Sequence, residues 1–168
     1  MGSPRRGISL LELVIAGSLL ATVMASLSLV MRTTRQSWET IDEEYSALHQ
    51  MQAVSHHIVR QAREAAEVTQ LTGSALSLRL PSGIATWRWR SSFGDDRDAV
   101  VFDSPDGNQS LLARDIDALE FVGYGADGTT VETDPSRVHV VQLRVVVTLP
   151  RSIVSQRAVT SKVWLRAW

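Results

Sequence analysis

From Leu13 to Met31 the chain carries no charged side chain, and that run constrains everything around it. It approaches the roughly 20 apolar residues an α-helix needs to cross the hydrocarbon core of a bilayer. A buried helix of a water-soluble protein rarely stays uncharged for so long. A conventional secretory signal has a shorter apolar core of about 7–15 residues, ending in a small-residue cut site. Ser26-Leu27-Ser28 matches such a site poorly. On hydropathy alone the run reads as an uncleaved membrane anchor. The odd member is Glu12, immediately before it. A carboxylate costs about 2.5–3.5 kcal/mol at the centre of a membrane helix and less near its edge. Glu12 therefore calls for a partner.

The flanks orient this anchor only weakly. Arg5 and Arg6 precede the run, while Arg32 and Arg35 follow it. Acidic Glu39, Asp42, Glu43 and Glu44 give a slight lean toward an N-terminus inside. With 168 residues, the chain has room for one anchor and one compact domain of about 100 residues. Its net charge of −1 supplies no field that would gather nucleic acid or an acidic membrane surface. The absence of cysteine excludes disulfides, thiolate-bound zinc and a thiol nucleophile.

The segment Gly7-Ile8-Ser9-Leu10-Leu11-Glu12-Leu13-Val14, behind basic Arg5 and Arg6, resembles the prepilin processing motif of type IV pilins and type II secretion pseudopilins. In that family a short basic leader ends in Gly. A membrane aspartyl peptidase cuts after it and N-methylates the new first residue, and a Glu stands fifth in the mature chain. The resemblance implies cleavage and methylation at Gly7 and Ile8, with Glu12 as the fifth mature residue. Ile8 stands where the family usually has Phe. It further implies that Glu12 of one subunit pairs with the Ile8 amine of a neighbour. Such a pair would offset two desolvation costs and fix axial register. The positive end of the helix dipole also favours an anion in the first turn.

Within the run, Gly17, Ala21 and Ala25 form one stripe of small residues, and Ser18, Thr22 and Ser26 form the adjacent one. Such stripes let helices approach closely in lipid or in a filament core. No Gly or Pro occurs from Arg32 to Gln70. Apolar residues recur at Ile41, Tyr45, Leu48, Met51, Val54, Ile58, Ala62 and Ala65, close to a 3.6-residue period. The pattern predicts one helix from about residue 8 to 66, apolar all round at first and amphipathic later.

After Val68 the pattern changes to short strands with turn signals between them. Strands are expected at Ala75–Leu80, Ile84–Arg90, Ala99–Asp103, Ser110–Arg114, Ala118–Tyr124, Val138–Leu149 and Ala158–Arg166. Turns fall at Pro81-Ser82-Gly83, Pro105–Asn108 and Gly125–Gly128, and Ser91–Asp98 reads as a polar loop. A helix followed by antiparallel strands is an α+β fold. The run from Leu111 to Phe121, followed by a Gly/Asp turn and Val140–Pro150, is similar to the J-type minor pseudopilins of type II secretion. A minor pilin-like protein of another assembly system fits as well.

Other chemistry is thinly supported. His49, His56, His57 and His139 lack metal-ligand spacing and read as partly exposed residues. Asp95, Asp96 and Asp98, and Asp103, Asp106 and Asn108, are oxygen-rich enough for calcium. They suit tight turns better. Trp87, Arg88, Trp89 and Arg90 alternate as a sandwiched strand does, with the Trp pair inward. The same residues form a weaker candidate for stacking on nucleic acid.

The expected organisation is a leader over 1–7, a transmembrane half-helix over 8–31, an amphipathic half over 32–67 and an antiparallel β domain over 68–168. The resemblance implies a pilin-like structural subunit, with neither enzymatic activity nor a cofactor. Its partners would be the prepilin peptidase, other pilin or pseudopilin subunits, the inner membrane and secreted cargo, and no nucleic acid is expected. It would be a single-pass bacterial inner-membrane protein with its C-terminal domain outside the cytoplasm. The competing readings are a membrane-anchored binding domain outside any filament, a DNA-uptake pilin-like protein, and a metal-dependent enzyme on the β domain.

Overall fold

The computed structural model describes residues 9–149 and 155–165. Gly7, Ile8 and the leader lie outside the described residues. The chain divides into two compact units, Met1–Asp42 and Glu43–Trp168.

One helix, α1, spans Leu10–Glu64. It lies within the segment that the sequence predicts, and no Pro interrupts it. In the first unit its described side chains are exposed. Leu10, Leu11, Leu13, Val14 and Ile15 are each more than half exposed, as are most of the large apolar residues after them up to Met31. An uncovered apolar surface of this extent needs lipid or protein against it. The helix is long and apolar enough to cross a membrane.

Among the described residues, the second unit holds the end of α1 and nine strands. Strands β1 (Glu67–Leu71), β2 (Ala75–Leu80), β3 (Gly83–Phe93), β4 (Asp96–Asp103) and β5 (Gln109–Ala113) form one sheet in the order β1-β2-β3-β4-β5. Strands β6 (Ala118–Tyr124), β7 (Val131–Glu132), β8 (Val140–Thr148) and β9 (Gln156–Trp164) form a second, in the order β7-β6-β8-β9. All neighbouring pairs are antiparallel. The architecture is α+β.

One core joins the helix to both sheets. Met51, Val54, Ile58, Ala62 and Ala65 pack with Leu76, Leu78, Trp87 and Val100 of the first sheet and with Leu119, Leu143 and Val145 of the second. The apolar periodicity is therefore a packing stripe from Leu48 onward. Ile41 and Tyr45, which continue it in sequence, are 57% and 69% exposed.

The end of α1 is set by the sheet. No Gly or Pro caps it; instead the Ala66 N–H donates to the Arg79 carbonyl of β2 at 2.9 Å. The chain then pairs Glu67 with Arg79 and becomes β1. The strand β1 and the short β7 have no counterpart in the sequence reading. β1 buries only Val68 and β7 buries neither of its residues, so neither carries an alternating apolar signal. The expected loop at Ser91–Asp98 is instead the tip of a hairpin. Phe93 pairs with Asp96 across a two-residue turn whose first central residue is Gly94, at φ +61°. Glycine there suits the twist of a tight hairpin. Here strand twist and cross-strand pairing overrode the polar composition. At the Gly125–Gly128 turn, the Asp127 carboxylate accepts from the backbone and hydroxyl groups of Thr129 and Thr130. These bonds, led by the Thr130 hydroxyl, hold it well below the usual carboxylate range.

Candidate functional site

Glu12, Gly17, Ser18, Ala21, Thr22 and Ala25, singled out in the sequence, all lie on α1. Glu12 occupies the first turn of α1 and is exposed. Gly17 has open space on the side where a Cβ would stand. Ala21, Ala25, Ser18 and Thr22 are exposed on the same segment. The hydroxyls are satisfied inside the helix: Ser18 donates to the Ile15 carbonyl, Thr22 to Ser18 and Ser26 to Thr22, each at 2.9 Å. Their polar atoms are thus spent on their own backbone, and a neighbouring helix would meet small, internally satisfied side chains.

Among the described residues, the second unit carries a recess beside the end of α1. It is an open groove of about 670 Å³ lined by Ser55, His56, His57, Val59, Arg60, Arg63 and Ser161. Helix periodicity places His56, Arg60 and Arg63 on the face of α1 opposite the core stripe, and all three are exposed. Ser55 and Ser161 meet through their hydroxyls at 3.2 Å, tying α1 to β9. Arg60 and Arg63 form no ion pair among the described residues.

His57 is partly exposed, as the sequence suggests, but has a packing role that sequence reasoning did not identify. It is half-buried in an aromatic cluster, with its ring 4.9 Å from that of Phe102 and 6.0 Å from that of Trp87. Trp87 donates its indole N–H to the Nδ1 of His57. Burial, and then the charge of Arg60, lower the His57 pKa from its ordinary value. The nearest available signal was its place three positions after buried Val54, its neighbour on the helix wheel. His49 and His56 are exposed on the helix, and exposed His139 precedes β8.

The alternation of Trp87 to Arg90 has the expected sense for the first Trp. Trp87 is fully buried, so its face is not available for stacking. Trp89 is half-buried and donates to the Ile116 carbonyl at 2.6 Å. Arg88 pairs with Asp103, which also accepts from Gln109. Burial pushes Asp103 up, but hydrogen bonds from Gln109 and Arg88, and the charges of Arg88 and Arg90, hold it below its ordinary value. Asp106 lies in the turn after β4. Among the described residues no three His, Cys, Asp or Glu side chains gather as a metal site.

A long apolar N-terminal helix leading into an antiparallel β domain is an architecture compatible with a pilin-like subunit. No family model matches the chain, and no curated protein matches it in sequence.

Proposed function

We propose that the chain is a pilin-like structural subunit, of the minor pseudopilin kind. It is made as a precursor, cut between Gly7 and Ile8, methylated at Ile8 and assembled through its helix into a pilus-like filament. The observation that carries this reading is the coincidence of three features in one helix. Glu12 stands five residues after Gly7, an exposed apolar segment follows, and α1 continues without a break into the core of a β domain. A plain anchor needs neither the carboxylate nor a stem that enters the domain it carries.

Each feature has a physical task in a filament. The apolar segment stores the subunit in the membrane before assembly and is covered by neighbouring helices afterwards. Glu12 pairs with the new Ile8 amine of a neighbour, so a misregistered subunit leaves two charges uncompensated. The small-residue stripes at Gly17, Ala21 and Ala25 and at Ser18 and Thr22 permit close helix approach. The β domain stays outside the membrane and meets other subunits or secreted cargo.

Mass spectrometry of the N-terminus of the protein, purified from a host that supplies a prepilin peptidase, tests this reading. The expected product begins at Ile8 and carries one N-methyl group. An intact Met1, or a cut near Ser28, would instead mark an anchored domain outside any filament.

A further inference from the structure

Strand β9 leaves one edge of the second sheet open. Leu165 donates its N–H to the His139 carbonyl, and Leu149 donates to the Ser155 carbonyl, each at 2.9 Å. The register of β8 and β9 runs unbroken between those two bonds, so the odd-numbered residues of β9 exchange hydrogen bonds with β8. Gln156, Ala158, Thr160, Lys162 and Trp164 turn their N–H and C=O groups the other way. All five are exposed, and among the described residues none of these backbone groups meets a protein partner. Proteins ordinarily blunt such an edge with a proline, a bulge or a lysine. β9 has no proline and no register shift. Its Lys162 is folded onto the face of the sheet away from the core, with Nζ 3.8 Å from the centre of the Tyr124 ring and 3.0 Å from the Gly128 carbonyl oxygen.

The odd-numbered side chains face α1. Val163 is buried, and Ser161 meets Ser55. Ser161 is also the strand's contribution to the groove that holds His56, Arg60 and Arg63. Residues directly opposite each other on neighbouring strands project to the same face. A strand added to β9 therefore places the side chain opposite Ser161 in that groove. Arg60 and Arg63 are exposed there, and Glu64, the nearest acid along the helix, pairs with neither.

We propose that the β9 edge binds an extended segment of another protein by strand addition, and that this segment carries a carboxylate side chain opposite Ser161, set against Arg60 and Arg63. The backbone ladder supplies affinity that ignores sequence, and the groove reads one acidic side chain. A second β9 is a poor occupant, because Arg157 and Lys162 on both strands would add like charges to those of Arg60 and Arg63. The contact lies wholly within the second unit and does not depend on the filament reading.

Fluorescence anisotropy on the full-length chain in detergent tests the contact, with labelled peptides matched to the nine residues of β9. The first peptide alternates Val and Thr, with Glu at the central Val position. The second has Lys there. The third keeps the Glu and carries N-methyl groups on its Thr residues, whose N–H groups face β9 in the added strand. The Glu peptide is expected to bind about tenfold more tightly than either of the others. Arg60→Ala with Arg63→Ala is expected to erase the preference for Glu over Lys. Thr160→Pro removes an outward N–H while leaving the β8 ladder intact, and is expected to weaken both unmethylated peptides. The N-methylated peptide reads the same bonds on the unaltered chain. No binding of the Glu peptide, or binding unchanged by N-methylation, overturns strand addition. Equal binding of the Glu and Lys peptides by the parent, or a preference that survives loss of both arginines, overturns the acidic readout. Self-association of the chain that Thr160→Pro abolishes gives the edge to a second copy and overturns the proposal as well.

Discussion

The indole N–H of Trp87 donates to Nδ1 of His57 across 3.1 Å. Trp87 is the largest fully buried side chain among the described residues, and its one polar atom finds its acceptor on the helix. The bond fixes the imidazole tautomer. Nδ1 must be unprotonated to accept, so the proton of neutral His57 sits on Nε2. Helix and sheet are thereby joined through a group that functions only while uncharged.

This gives stability a direction in pH. Burial and Arg60 lower the His57 pKa in the folded chain below the ordinary value of 6.5. The unfolded chain then takes up a proton at a higher pH than the folded one. The contribution is fully present above about pH 6.5 and is lost as pH falls from there through the folded pKa. Unfolding midpoints in urea at pH 7.5 and pH 5.5 are expected to differ more in the parent than in His57→Asn, whose side-chain oxygen can still accept from Trp87. His57→Phe removes the acceptor and is expected to cost about 1–3 kcal/mol at pH 7.5, and less at pH 5.5, where the parent has itself lost part of that contribution.

The stripe of α1 divides where packing starts. Ile58 is fully buried, whereas Ile41 is 57% exposed. Ile58→Ala is expected to destabilise the second unit by about 2–5 kcal/mol, through lost burial and a residual cavity. Ile41→Ala should stay within about 0.5 kcal/mol. Denaturant titration in detergent, followed by Trp fluorescence, compares the two.

Gly123 in β6 is required for space. A Cβ there would stand 2.6 Å from side-chain carbons of both Leu71 and Val138, and 2.9 Å from the Glu132 carbonyl oxygen. The oxygen is backbone held by pairing of Gly123 with Glu132, so the strand itself must move. Gly123→Ala is expected to lower stability by about 1–3 kcal/mol, read as a lower thermal midpoint with unchanged membrane insertion.

In the proposed filament, Glu12 is expected to separate processing from assembly. Its carboxylate is exposed in the first turn of α1 and is assigned to a neighbouring subunit's amine. Glu12→Ala is expected to leave cleavage after Gly7 intact while filament recovery falls at least tenfold. Mass spectrometry reads the first and a shear-and-sediment assay the second. Wild-type filament yield from the variant would remove the register role.

The sequence by itself determined the elements with strong local signals. An uncharged run from Leu13 to Met31 and a Gly- and Pro-free stretch beyond it leave little but a helix. Alternation at Ala75–Leu80 and Ala118–Tyr124 placed those strands with the bounds they have in the fold. These signals are local, because each residue's burial is written in its own spacing. The tertiary structure decided what depends on partners distant in the chain. It ended α1 where Ala66 meets the Arg79 carbonyl, made a strand of the polar Glu67–Leu71 and left Ile41 and Tyr45 outside the core. It also made partly exposed His57 the acceptor for Trp87, thirty positions away. A hydrogen bond across that separation leaves no periodic trace, since only packing brings its donor and acceptor together.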